Sequence, residues 1–396
     1  MQAGWRIGSL FGIPLFLDTS WFIILALATL GYAQDYNVLG TWQSWIAGFI
    51  MALLLFSSVL LHELGHSLVA ISQGIKVNSI TLFLFGGVAS IEQESKTPGQ
   101  AFQVAIAGPL VSLGLFFILG LIAQMFPPDS LLNKSGEQLA LINGILAGFN
   151  LIPGLPLDGG QVLKAAVWKL TGSRFSGVRW ASKVGQILGW LAIAYGISKV
   201  LVGGYDGVWI GLIGWFALRN AAAYSRLTDL QEALIKTTAF ETMTREFRVI
   251  NADLTLRQFA DQYVIEMVHF PVYVAASQGR DRGLVNIDDI RYIERSLWEE
   301  QTVHDIVHPL SERMTVSEKM LLLEVINLME TNELPRIIVV SPTGSVSGVI
   351  DRGDIVKAVG KFLKVDFPDA EIKRIKEEGV YPAGFQLGAI AKVTQP

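Results

Sequence analysis

This sequence of 396 residues contains no cysteine, which excludes disulfide bonds and thiolate metal ligands. Any bound metal must therefore be held by histidine, aspartate or glutamate. Charged residues are also scarce, at 17%, whereas hydrophobic residues make up 51% of the chain, more than a typical soluble protein carries. With a net charge of −4 and no dense run of lysine or arginine, the chain lacks the features of a nucleic-acid-binding protein. The composition indicates a membrane protein in contact with the lipid bilayer.

The apolar residues are concentrated before Arg226, and charges become frequent after it. A membrane-spanning helix needs about 20 mostly apolar residues. The segments that approach this requirement are Leu15–Gly31, Ser44–Leu61, Ala101–Phe126, Leu139–Leu157, Val184–Val202 and Gly207–Ala223. We therefore expect an α-helical polytopic membrane domain with six spans over residues 1–225 and a linker at 226–238. A C-terminal tail at 364–396 closes the chain.

Positive charges in the loops predict the orientation of these spans, because they accumulate on the cytoplasmic side. One side of the predicted topology carries most of them, namely Arg6, Lys76, Lys96, Lys164, Lys169, Arg174, Arg179, Lys183 and Arg226. The other side carries essentially Lys134 and Lys199. Both ends of the chain, and the charged C-terminal region with them, are therefore expected in the cytoplasm.

The segment between the second and third predicted spans, Val77–Ile91, is rich in β-branched and aromatic residues. Two adjacent glycines, Gly86 and Gly87, interrupt it, so the pattern predicts two strands joined by a bend. Since an open strand edge cannot face lipid, we expect this small β-segment to lie at the membrane interface or against the helices.

Residues 237–360 have the composition of a soluble α/β domain and contain an internal repeat with a spacing of about 64 residues. Phe270–Val274 matches Leu334–Ile338, and Gly283–Ile290 matches Gly348–Ile355. This region is therefore expected to consist of two copies of one structural unit in tandem.

The second predicted span ends in His62-Glu63-Leu64-Gly65-His66. Two histidines four residues apart lie on one face of a helix, where they can share a zinc ion. Glu63 lies beside this face, as expected for a general base that takes a proton from water during metal-assisted hydrolysis. The alternative is a polar helix end without metal, but such residues attached to a long apolar run are costly unless they have a partner.

A catalytic zinc site commonly has three protein ligands and one open position. Asp158 is the candidate for the third ligand, since it ends the fourth predicted span in Asn150–Gly160, where prolines and glycines must unwind the helix. The second and fourth spans run toward the same side of the membrane, which would bring Asp158 to the depth of His62 and His66. The alternative for Asp158 is a plain cap at the membrane interface.

This motif and the later unwound segment resemble the site-2 protease family of intramembrane zinc metalloproteases, and the resemblance covers residues 10–225. It implies a fold of membrane helices around a metal site, with peptide-bond hydrolysis as the activity. It implies one Zn²⁺ per chain, held by His62, His66 and Asp158. Glu63 would then be the catalytic acid and base.

The same resemblance implies a transmembrane protein as the substrate, and it associates Asn150 with the active site as a substrate or oxyanion contact. An amide in an apolar span can equally form a helix-packing hydrogen bond. A helical substrate must unwind before its carbonyls become accessible, and the strands around Phe85, Gly86 and Gly87 can capture it by strand addition. The alternative for these strands is a structural hairpin that covers the site.

The repeated region resembles the cystathionine-β-synthase-type (CBS) regulatory pair over residues 239–363, a module that commonly binds adenine nucleotides. The resemblance assigns ribose contacts to Asp289 and Asp354. The positions where that family has a hydroxyl are Asn286 and Asp351, however, and a carboxylate there would repel phosphate. A module without ligand, which forms a homodimer or gates the substrate, is therefore the alternative.

A second histidine pair, His304 and His308, has the same four-residue spacing as the first. We assign no metal to it, because Pro309 follows at once and no third ligand is evident. The aligned segment of the other copy, Phe240–Thr244, contains no histidine.

Together these features predict an intramembrane zinc endopeptidase that performs regulated intramembrane proteolysis and is modulated by a cytoplasmic CBS-type pair. Two alternatives remain open. A membrane transporter or channel gated by that pair would use the same polar residues as an ion path, although we find no symmetry between membrane halves that would favour transport. A zinc-binding membrane scaffold without turnover would carry the same ligands.

Overall fold

The structure is a computed structural model that describes residues 4–36, 40–84, 86–128, 130–264, 272–277, 280–310, 314–382 and 387–393. The chain divides into two compact units, residues 1–228 and 229–396. Each unit has its own hydrophobic core, and we describe the two separately.

Helices occupy all six segments predicted to span a membrane. They are α1 (Thr19–Asp35), α2 (Thr41–Ser72), α3 (Pro98–Ala123), α4 (Leu131–Asn150), α6 (Arg174–Leu201) and α7 (Asp206–Lys236), and a further helix, α5 (Asp158–Thr171), lies between α4 and α6 outside these segments. Within the described residues, α2, α3 and α6 are long and apolar enough to cross a membrane by length and composition. Most of the predicted linker at 226–238 belongs to the end of α7.

The first predicted span was placed wrongly at its start. Ile13–Leu17 forms a strand, and the helix begins only at Thr19, where the Asp18 side chain accepts a hydrogen bond of 2.9 Å from the Ser20 amide. Alternate residues of this strand are buried. A short apolar run that leads into a helix has no periodicity that separates strand from helix, so the sequence pattern merged the two elements. The fourth helix likewise ends at Asn150, before the prolines.

A four-stranded sheet packs beside these helices. Its strands are β1 (Trp5–Leu10), β2 (Ile13–Leu17), β3 (Val77–Phe83) and β4 (Gly86–Ile91), and they lie in the order β1-β2-β3-β4. The predicted strand pair is confirmed as the antiparallel β3–β4 hairpin, and β2 joins β3 in parallel. Ile13 and Ile80 pack against Leu64 of α2. The sheet is therefore fixed against the metal-motif helix, with β4 at one edge.

The second unit contains two three-stranded sheets with the same connectivity. Its elements are α8 (Ala239–Thr242), β5 (Arg248–Asn251), α9 (Leu256–Phe259), β6 (Tyr273–Ser277), β7 (Arg280–Val285), β8 (Thr315–Ser317), α10 (Leu322–Thr331), β9 (Arg336–Val340), β10 (Val346–Asp351), α11 (Arg352–Leu363), α12 (Asp369–Glu378) and α13 (Leu387–Val393). In each sheet the central strand has one parallel and one antiparallel neighbour, in the orders β5-β6-β7 and β8-β9-β10.

The tail helices α12 and α13 are part of the core of this unit. Ile375 and Leu387 are buried in the same apolar cluster as Ile326 of α10 and Val356 of α11. Burial of side chains this large contributes on the order of 2 kcal/mol each. The tail therefore stabilises the unit that precedes it.

Candidate metal centre and active site

Three potential metal ligands meet in the first unit. The Oδ2 atom of Asp158 lies 3.0 Å from His62 Nε2 and 3.3 Å from His66 Nε2, and the two histidine Nε2 atoms are 3.3 Å apart. Among the described residues, this is the group of three histidine or acidic side chains close enough to share a metal ion. The sequence predicted the same three residues, although Asp158 is more than ninety positions from the two histidines.

The donor set fits zinc. Zinc bonds to histidine nitrogen or carboxylate oxygen are about 2.0–2.2 Å long and tetrahedral, so ligand atoms should lie about 3.3–3.5 Å apart. The separations of 3.0–3.3 Å among the three ligand atoms are close to this requirement. Both histidines are buried and Asp158 is partly buried. The three side chains can hold a zinc ion without rearranging the helices.

Helix α3 orients both histidine rings. His66 Nδ1 donates a hydrogen bond of 2.6 Å to the carbonyl oxygen of Val104, and His62 Nδ1 lies 2.9 Å from the Ser112 hydroxyl. Because a carbonyl can only accept, the hydrogen of His66 is on Nδ1 and the Nε2 lone pair faces the metal site. Ligating histidines generally have such a partner at the other ring nitrogen. Sequence reasoning missed Ser112, which lies inside an apolar run with no motif around it.

Ser112→Ala is expected to weaken zinc binding by about 10–100-fold, the usual effect of removing a histidine's outer partner. Ser112 is fully buried, so no water can reach the Nδ1 atom to replace the hydroxyl. Zinc affinity would be measured by competition with a chromogenic chelator. Ser57→Ala is the matched control, because the Ser57 hydroxyl is exposed and bonds only to the Leu53 carbonyl of its own helix. Equal affinity in the Ser112 variant and the wild type would contradict this role.

Gly108 of α3 forms the wall of the metal site. A Cβ atom at this position would overlap His66 Nε2 and lie 2.7 Å from His62 Nε2. The α3 backbone therefore approaches the ligand atoms as closely as a residue without a side chain allows. No sequence motif marks this glycine, since its role depends on how two helices pack.

The segment between α4 and α5 delivers Asp158. After α4 ends at Asn150, the chain turns and α5 begins at Asp158 itself. A Cβ at Gly159 would collide with the Leu151 carbonyl, and one at Gly160 would collide with Gly154. These glycines allow the turn to fold tightly against the start of α5. Asn150 Nδ2 lies 3.4 Å from His62 Nε2, so the predicted active-site amide does lie beside the metal group.

Glu63 faces the edge strand β4. A Cβ atom at Gly87 would overlap the Glu63 side chain, with 3.1 Å to its Cδ. The backbone of Ala89, also in β4, interacts with the Glu63 carboxylate. Gly86 has a φ of 134°, a conformation that favours glycine. Phe85, predicted to contact the substrate, lies outside the described residues.

The predicted nucleotide contacts in the second unit already have partners. Asp289 Oδ2 lies 2.7 Å from His308 Nε2, and Asp354 Oδ1 lies 2.8 Å from Lys376 Nζ of the tail. Burial and the neighbouring Asp351 raise the pKa of Asp354 to about 6, even against the Lys376 ammonium.

The second histidine pair makes two separate ion contacts. His304 Nε2 lies 3.4 Å from Asp253 Oδ1, whereas His308 contacts Asp289. Each histidine therefore has its own carboxylate partner.

The chain is similar in sequence to known zinc metalloproteases. Residues 50–139 and 129–192 match peptidase family M50, and residues 303–361 match the CBS domain. A protein of Synechocystis named as a zinc metalloprotease is 44% identical over 366 residues, which cover 89% of this chain and 95% of that protein. A zinc metalloprotease of Methanocaldococcus jannaschii is 30% identical, covering 92% of this chain and 98% of that one. The solved site-2 protease of the same organism superposes with a TM-score of 0.42 at 30% identity, over 56% of this chain and 95% of that structure.

Proposed function

The chain belongs to peptidase family M50, the site-2 protease family of zinc metalloproteases, and carries a CBS domain; from this we propose that it hydrolyses peptide bonds in or near the transmembrane segments of other proteins. One observation carries the proposal. The group of His62, His66 and Asp158 and the adjacent Glu63 lie in the unit that contains the three described helices suited to a membrane.

We assign each polar residue of the site a role. His62, His66 and Asp158 hold the zinc ion, which supplies Lewis-acid chemistry toward a peptide carbonyl and water. Glu63 accepts a proton from the attacking water and returns one to the leaving amine. Asn150 contributes its amide to the carbonyl oxygen of the substrate, which is supported by its position beside His62.

The edge strand β4 is the proposed docking site for the substrate. Its outer side has no strand neighbour within the described sheet, and it passes directly against Glu63. An unwound segment of a membrane helix that pairs with β4 would satisfy its backbone groups there and present its carbonyls to the site. Gly86 and Gly87 allow the close approach.

We further propose six membrane spans with both ends of the chain in the cytoplasm, the orientation that the loop charges favour. The membrane domain would comprise residues 1–225. A tandem CBS-type pair at 239–363 would modulate proteolysis, and formation of a homodimer through this pair is one way in which it would do so. An adenine nucleotide would have to displace His308 from Asp289 and Lys376 from Asp354. The substrate would be a membrane-held protein whose cleavage is regulated.

Zinc removal tests the proposed function. Isolated membranes that contain the protein should generate fragments cut within membrane spans, detected by mass spectrometry. A zinc chelator should stop their formation, and added zinc should restore it, because no other described group replaces the three ligands. Fragment formation that is indifferent to chelation would contradict the proposal. Zinc uptake into sealed vesicles without any fragments would instead favour a transporter.

A further inference from the structure

An ion pair ties the segment after β4 to helix α5. Glu94 Oε2 lies 2.9 Å from Lys164 Nζ and 3.5 Å from Arg174 Nη1. Lys164 is 9% exposed, and lysine is rarely buried this deeply without a paired carboxylate. Glu94 comes three residues after β4 ends at Ile91. The contact therefore joins the edge strand to a helix far along the chain.

Two cations share the Glu94 carboxylate at this contact. Burial would raise the pKa of the Glu94 carboxyl, but Lys164 and Arg174 outweigh it and hold that pKa below its usual value. The carboxylate is therefore ionised at neutral pH, and the Lys164 ammonium has a charged partner. Removal of Glu94 would leave the buried Lys164 ammonium in a poorly solvated place, whereas the half-exposed Glu94 carboxylate would keep its contact with solvent if Lys164 were removed.

The contact closes a ring of elements around the active site. At one end of β4, Gly87 packs on Glu63 of α2. At the other end, Glu94 reaches Lys164, which lies about 9 Å along α5 from Asp158 at a rise of 1.5 Å per residue. Asp158 in turn contacts the histidines of α2. The strand β4 is thus linked to α5 at both of its ends, through α2 and the metal ligands at one end and through the ion pair at the other.

Helix α5 itself is anchored at the same point. A Cβ atom at Gly177 of α6 would collide with the Lys164 carbonyl oxygen, so α6 and α5 touch backbone to backbone there. Arg174, the second cation at Glu94, is the first residue of α6. The segment after β4 is therefore held by two helices that are fixed to each other.

We propose that the Glu94–Lys164 ion pair is a positioning clamp that sets the distance between the substrate strand on β4 and the helix that carries Asp158. This inference rests on the proposed function of the site. The clamp acts on the position of β4, and the two histidine ligands are held by separate contacts, His66 to Val104 and His62 to Ser112.

Glu94→Gln should therefore raise KM by about 10-fold and leave kcat and zinc content unchanged, since substrate capture is lost and the chemistry is kept. Lys164→Gln should raise KM by no more than Glu94→Gln does, because Arg174 can still pair with Glu94, and the double variant should lose no more than Glu94→Gln alone. A fully additive loss, or an unchanged KM in both variants, would overturn the clamp.

Two further variants serve as controls for this test. Glu92→Gln is the matched control, because Glu92 pairs at 3.4 Å with Lys76 of the same hairpin, and both side chains are solvent-exposed. Its KM should equal that of the wild type. If an unpaired Lys164 prevents folding, Glu94→Gln combined with Lys164→Met removes both charges and should still show the raised KM.

A distance measurement tests the clamp without any substrate. The chain has no cysteine, so spin labels can be placed cleanly at Val88→Cys on β4 and Leu170→Cys on α5, both exposed positions. The distance distribution should be narrow in the wild-type background and broad with Glu94→Gln. An equally narrow distribution would refute the clamp. If the wild type cleaves nothing, the proposed function fails, while this measurement still decides the clamp.

Discussion

Replacing Glu63 with glutamine should lower the cleavage rate by about 10²–10⁴-fold, the usual contribution of a general acid and base, and leave zinc bound. Glutamine has nearly the same shape but cannot accept a proton from water. The three ligand atoms come from other side chains, and both histidines keep their partners in α3. The loss should therefore appear in kcat with little change in zinc content.

The Glu63→Gln experiment compares fragments of membrane proteins in cells with the intact chain or the variant, followed by kinetics on the cleaved protein. Glu137→Gln is a suitable control, since this exposed glutamate of α4 contacts only the Asn133 amide at 3.4 Å. Undiminished cleavage in the Glu63 variant would remove this residue from the mechanism. Loss of zinc together with activity would show that Glu63 helps to hold the metal.

The grouping of His62, His66 and Asp158 was predictable because the signals for it are local in the sequence. A helical repeat of four places His62 and His66 on one face, and the prolines and glycines around Asp158 mark the end of a helix. A shared direction of two spans was then enough to predict their meeting. The structure adds the distances that this reasoning could not supply, because they depend on how α2 and α5 both pack on α3.

The β-segment was predictable only in part. Val77–Ile91 has the composition of strands, and it forms the expected hairpin. The partner strand Ile13–Leu17 was missed, because its pairing with β3 joins residues more than sixty positions apart. The Glu94–Lys164 contact likewise joins residues that are far apart in the sequence. Contacts between distant residues that belong to no motif cannot be predicted from a single sequence.

The second unit was also predictable only in part. The repeat predicted two copies, and two sheets with matching connectivity are present. The side chains that contact Asp289 and Asp354 were not predictable, since one comes from the neighbouring copy and the other from the tail. Lys376 reaches Asp354 only because α12 folds back onto the first turn of α11, where Gly353 leaves room for it.

Gly108→Ala should abolish zinc binding, with an affinity loss of at least about 100-fold, because the added methyl group would occupy the space of both Nε2 atoms. Alanine favours a helix over glycine by roughly 0.5–1 kcal/mol, so α3 itself should not be weakened by the change. The expected loss therefore arises at the ligands and not from unfolding of the helix.

Gly114→Ala is the matched control for Gly108→Ala. It makes the same substitution in the same helix, at a position where a Cβ atom has no neighbour within 4 Å. Its zinc content and thermal stability should equal or exceed those of the wild type. Zinc would be measured in both purified variants by elemental analysis, with thermal unfolding as the check on folding. Full zinc content in a folded Gly108 variant would mean that the α3 backbone is not the wall of the metal site, and the inferred packing of α3 on α2 would have to be abandoned.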